Sequence, residues 1–166
     1  MAAKLGSAVT AKVIQQITGT GGMNSNMAAL TAPGSSLAAP VEAAQVQAQN
    51  VAADLAERST MMKYPSVNVY CEKIVNDLPE KFRSFSGNVQ MAIELRHSQD
   101  QLAGLQDSLE LYTDSVTQTL DAARGDWGNG MFYAGGYEVA LSAVKHGGRN
   151  FVQAAKITFQ VGVSRN

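Results

Sequence analysis

At 166 residues the chain can fill one hydrophobic core but not two well-stocked ones. Hydrophobic residues make up 45% and charged residues only 16%, against about a quarter in an average soluble protein, which is a globular composition with a thinly charged surface suited to partner contacts. A net charge of −1 gives no global field toward nucleic acid or anionic lipid, one cysteine and two histidines exclude an internal disulfide and a structural Cys/His zinc site, and no window reaches the ~18 apolar residues of a membrane span.

The opening Met1-Ala2-Ala3-Lys4-Leu5-Gly6 has no apolar stretch of signal-peptide length, which predicts a protein made and kept in the cytoplasm. Leu5, Val9, Val13 and Ile17 recur at i, i+4 and predict a short amphipathic helix over residues 2–18. From Gly19 to Ala39 the sequence turns to Gly, Ser, Asn, Thr, Ala and Pro without periodicity, the pattern of a mobile or draped linker. Residues 1–40 therefore read as an N-terminal helix and flexible extension, ahead of a domain over residues 41–166.

Pro40 suits the first turn of a helix, and Ala44, Ala48, Val51, Leu55 and Met62 share a face, predicting a helix from Pro40 to Met62. Tyr64-Pro65 stops it, and the alternation of Val67, Val69 and Cys71 predicts a strand. Asp77-Leu78-Pro79 and Ser86-Gly87 bracket an excursion, after which Val89, Met91, Ile93 and Leu95 alternate as a second strand. Leu102, Leu105, Leu109, Tyr112, Val116, Leu120 and Ala123 fall on one face of a long helix that begins near Ser98 or Gln99 and stops before Gly125. Beyond a turn-rich Gly125–Gly130, a strand through Tyr137, Val139, Leu141 and Ala143 meets a hairpin turn over Lys145–Asn150. The last strand carries Ala155, Ile157, Phe159, Val161 and Val163 on one side. This order predicts an α+β fold: an antiparallel sheet of about four strands packed against two main helices, with an N-terminal helix and long loop extension.

No acid–base pair stands out, so the chain reads as non-enzymatic, with no cofactor and no metal site. His97 and His146 lie at a strand end and in a hairpin turn and suit surface or hydrogen-bonding roles; Cys71 shares its phase with Val67 and Val69 and suits core packing. Gly125–Gly130 follows a helix and is not succeeded by Lys-Ser or Lys-Thr, which argues against a phosphate loop. Asp100, Asp107, Glu110, Asp114 and Asp121 line the outer side of the long helix. They read either as a solvated face or as a surface that lines a channel or meets a basic partner, since residues 139–166 hold Lys145, Arg149, Lys156 and Arg165 and no acid. Trp127, Phe132, Tyr133 and Tyr137 form either an aromatic contact patch or the cap of the core. The basic tip at Lys145–Asn150 is too small for strong DNA binding and suits a subunit contact. The candidate interface residues are accordingly Asp107, Glu110, Asp114, Trp127, Lys145 and Arg149.

Three features together resemble one family: the helix leading into Tyr64-Pro-Ser-Val-Asn-Val-Tyr-Cys71, the strand Phe85-Ser-Gly-Asn-Val-Gln-Met-Ala-Ile-Glu-Leu-Arg96 with Ser98-Gln-Asp100 opening the long helix, and the final hairpin ending Lys156-Ile-Thr-Phe-Gln-Val-Gly-Val163. Across residues 41–166 this organisation resembles the tail-terminator, or neck, proteins of tailed bacteriophages. The resemblance implies a homohexameric ring on the last ring of tail-tube protein that ends tail polymerisation. It also implies contacts with head-completion or connector proteins, DNA only as cargo passing through the lumen, no membrane, and a place in the virion after assembly in the host cytoplasm. Residues 1–40 exceed the shorter plan of that family. The nearest alternatives are a head-completion adaptor, a stopper or a tail-tube subunit. From other classes come a small-molecule enzyme, which needs a cleft with convergent polar groups, and a nucleic-acid module using Tyr64, Tyr70 and the basic hairpin.

Overall fold

The computed structural model of the protein describes residues 4–31, 40–52, 62–147 and 149–166. Its frame is the pair of strands with the clearest alternation, β3 (Phe85–Gln99) and β8 (Asn150–Arg165), joined antiparallel from Phe85 opposite Arg165 to Gln99 opposite Phe151. Val89, Met91, Ile93 and Leu95 lie directly across from Val161, Phe159, Ile157 and Ala155, and all eight side chains are buried. The β-branched and aromatic members of these pairs stabilise the sheet through their cross-strand contacts.

On the far side of β3 runs β2 (Ser66–Asn76), antiparallel, and beyond its first residues lies the two-residue β1 (Val46–Gln47), parallel to it. On the other side of β8 come β5 (Met131–Tyr133), β6 (Glu138–Leu141) and β7 (Lys145–Gly147), which pair with β8 in succession and make one long, interrupted hairpin. The short β4 (Gly125–Gly128) pairs with β5 through a two-residue turn, Asn129-Gly130, with φ of 54° and 74°. Positive φ at both positions is what a tight type I′ hairpin demands, and Asn-Gly meets it at low cost.

The expected sheet of about four antiparallel strands is thus corrected to eight strands in a mixed sheet that curls into half a barrel. Two causes account for the difference. The parallel β1 breaks the antiparallel pattern, and the margin beyond β8 is assembled from pieces of three to four residues, of which only β6 shows alternation, through Val139 and Leu141.

The helices among the described residues cover one face. α1 (Leu5–Thr18) buries Val9, Val13 and Ile17, and α3 (Leu105–Ala122) buries Leu105, Leu109, Tyr112, Val116 and Leu120. α3 starts later than expected, after Gly104 at φ 78°, because Gln99 donates to the carbonyls of Gln101 and Ala103 and closes a turn there; Leu102 is consequently exposed. Between Gly19 and Ala39, where a linker is expected, lies α2 (Met23–Leu30), with Met23 and Met27 in the core and Asn26 donating to the Ser115 carbonyl and Thr119 Oγ1 of α3. The apolar sides of α1 and α2 belong to the same core as the sheet.

The helix expected from Pro40 to Met62 is also corrected. Ala43–Gln45 form a single 3-10 turn closed by a reciprocal Glu42–Gln45 cap, and the chain then enters β1, with Gln45 Nε2 donating to the Pro65 carbonyl. Residues 53–61 of that expectation, Leu55 among them, lie outside the described residues.

Candidate interface surfaces

Placement of the candidate residues follows from the register. The turn joining β7 to β8 sits beside Gln99 at the end of β3, so exposed Lys145 and Arg149 share one end of the sheet with the first turn of α3. Asp107, Glu110 and Asp114 run along the exposed side of α3, with Asp107 in the first turn, where the helix dipole favours a carboxylate, and Glu110 accepting from Gln106. Trp127 lies at the opposite end. It is buried, its Nε1 donates to the Ala123 carbonyl at 2.6 Å, and its ring packs 5.5 Å from that of Tyr133. Of the two readings of the aromatic cluster, Trp127 and Tyr133 therefore cap the core, and Phe132 and Tyr137 remain at the surface. The six candidates do not converge on one patch.

The face of the sheet turned away from α1 and α3 carries a polar array that the sequence does not reveal. Alternation places Ser66, Asn68 and Tyr70 of β2 on it together with Glu94 and Arg96 of β3. Tyr70 Oη donates to Glu94 Oε1 at 2.7 Å, and Arg96, only 3% exposed, pairs with Glu94 Oε2 and donates to the Val51 carbonyl at 3.3 Å. Next to them Glu72 pairs with Lys156 and accepts from Gln90. Burial, with the Glu94 carboxylate beside it, drives the Tyr70 hydroxyl far above its ordinary range. The phenol is held neutral against a carboxylate that also pairs with Nη2 of the buried guanidinium, whose Nε and Nη1 are buried without a hydrogen-bond partner among the described residues.

Cys71 and His97 lie on the other face of the sheet, apart from this array. Burial pushes the Cys71 thiol up, away from the reactive thiolate, and Cys71 packs against Gly6 of α1. His97 faces Tyr112 edge-on at 5.2 Å, and burial pulls it below its usual value. Burial, then Asp121, pushes Tyr133 up to about 12. Among the described residues no three His, Cys, Asp or Glu side chains gather in a way that could hold a metal ion, and no helix is long and apolar enough to cross a membrane.

What the surface does display is apolar side chains at the margins of the sheet. The hairpin joining β2 to β3 exposes Ile74, Val75, Leu78 and Phe82, and Phe82 is fully exposed. Leu78 and Phe82 take φ of 47° and 69°, a region costly for residues with a Cβ. The loop is nonetheless fixed: Glu80 accepts from Arg83 and Ser164, and Ser84 donates twice to the Arg165 carbonyl. At the other margin β6 exposes Val139 and Leu141, with Tyr137 just ahead of it. Between α1 and the free edge of β2 opens a groove of about 630 Å³ lined mostly by apolar atoms of Ala11, Ile14, Val69, Cys71 and Ile74. Comparison with protein-family models and with curated proteins finds no match.

Proposed function

We propose that this chain is a non-enzymatic structural subunit that works by associating through the margins of its sheet. More specifically, we read it as a tail-terminator protein of a tailed bacteriophage, forming a ring, a hexamer on the family pattern, that caps the tail tube, ends its growth and meets the head connector. The observation that carries the reading is where most of the exposed apolar residues lie: Ile74 and Val75 on one margin of the sheet, Val139 and Leu141 on the other, and Leu78 and Phe82 on a hairpin at one end. Two different sticky margins on one subunit make a heterologous contact, which closes into a ring when the rotation allows. A hairpin at right angles to those contacts suits an axial partner such as the last tube ring. The thin surface charge fits a lumen through which DNA passes without being held.

The test is to mix the purified protein with tail tubes and image them in negative stain. Rings seated on one end of each tube, with tube length no longer growing on addition of tube protein, is the expected result. Tubes that elongate unhindered and carry no cap exclude termination and leave the head-completion adaptor, the stopper and the tube subunit as the neck readings.

A further inference from the structure

The two margins of the sheet fit one another. Each neighbouring pair from β2 through β3 and β8 to β6 is antiparallel, so β2 and β6 run in opposite senses at opposite margins. Copies related by rotation about an axis along the strands therefore present β6 of one antiparallel to β2 of the next. Beyond Asn68, where β1 ends, β2 has no strand on its outer side among the described residues, and neither has β6.

From these features we infer that β6 of one copy adds to the free edge of β2 in a second copy, continuing the sheet from subunit to subunit. This deepens the reading of the chain as a ring-forming subunit and rests on it. The register follows from chemistry. Glu138 and Lys73 are both exposed on the side of the sheet turned away from α1 and α3, and neither has an ion-pair partner among the described residues. Set opposite one another they form a cross-strand pair of opposite charge. The bulge between Cys71 and Lys73 then brings Val139 opposite Cys71 and Leu141 opposite Val69, so both side chains enter the apolar groove beside α1. Without that bulge the pattern would fail, because a one-residue slip sends Val139 and Leu141 to the polar face. The pairing covers two open edges, which otherwise invite indiscriminate strand addition. The offset along the strands that it requires is the stagger that tilted strands show in any closed sheet.

Two experiments test it. In a Cys71→Ser background, Lys73→Cys combined with Glu138→Cys should give disulfide-linked multimers on mild oxidation, because residues paired across antiparallel strands lie within disulfide reach. Either cysteine alone should give none. In parallel, K73E or E138K alone should lower the apparent mass toward that of one chain, and the double swap K73E/E138K should restore it; circular dichroism of each variant checks that the exposed changes leave the fold intact. A wild type that assembles while both reversals and the cysteine pair leave it untouched overturns the edge pairing and keeps the assembly reading. A wild type that stays a single chain at every concentration, with and without tail tubes, sinks the assembly reading and this pairing with it.

Discussion

Arg96 shows how the sheet decides the state of single residues. Its guanidinium is nearly sealed from water, and Glu94 supplies both its countercharge and the acceptor for Tyr70. Removing one member of such a pair strands the other, so Arg96→Met should destabilise the fold by about 3 kcal/mol, read from urea denaturation midpoints. Replacing Arg96 and Glu94 together with apolar residues should cost less than Arg96→Met alone. His97 gives a second prediction. Its folded value lies below the ordinary 6.5, so the unfolded chain binds the proton more readily. Stability is then fully present above about pH 6.5 and falls as the pH drops from there toward the folded value. Thermal melts of the wild type should show that decline and His97→Gln should flatten it; parallel slopes in the two proteins would place the effect elsewhere.

At the level of elements, the β2–β3 hairpin would, on the proposed reading, separate folding from recognition. Phe82 is fully exposed, so Phe82→Ser should leave the melting temperature nearly unchanged, within the ±0.5 kcal/mol usual for surface positions, while weakening capture by tail tubes in a pelleting assay. Gly130 is the opposite case. It sits at φ 74°, and an added Cβ would stand 2.0 Å from the Ser164 carbonyl oxygen, so Gly130→Ala should cost stability and loosen the β4–β5 turn. The elements legible in the sequence are those whose periodicity runs long enough to register: α1, the first half of β2, β3, the body of α3, β6 and β8. α2 was hidden because eight residues with two buried methionines carry no periodic signal, and its place is fixed by Asn26 reaching α3 across 89 residues of sequence. The spacing of Ala44, Ala48 and Val51 resembles a helix, but Gln45 and Val46 are drawn into a cap on Pro65 and a pairing with Val67, contacts that no local pattern encodes. The same limit hid the Tyr70–Glu94–Arg96 network. Alternation assigns each residue to a face, whereas which residues meet across that face depends on register. Among the candidate interface residues, Asp107, Glu110, Asp114, Lys145 and Arg149 are exposed as read, and Trp127 is drawn inward by its hydrogen bond to the end of α3.

At the scale of the whole molecule, one sheet carries two kinds of surface. The helix side is a continuous core running from α1 to β8, and most of the large apolar residues left outside it collect at the two margins and at one hairpin, with Leu30, Leu102 and Phe132 elsewhere on the surface. A subunit built this way gains little from staying alone, since uncovered edges and exposed valine, leucine and phenylalanine are stabilised only when another surface covers them. On the proposed reading, like subunits provide the lateral cover and the contact closes. The most direct test is the mass distribution of the purified chain across a wide concentration series, by mass photometry and sedimentation. A single discrete assembly with a fixed number of subunits, giving way to single chains only on dilution, is the predicted result. A single chain throughout, or a continuous ladder of open filaments, would contradict it.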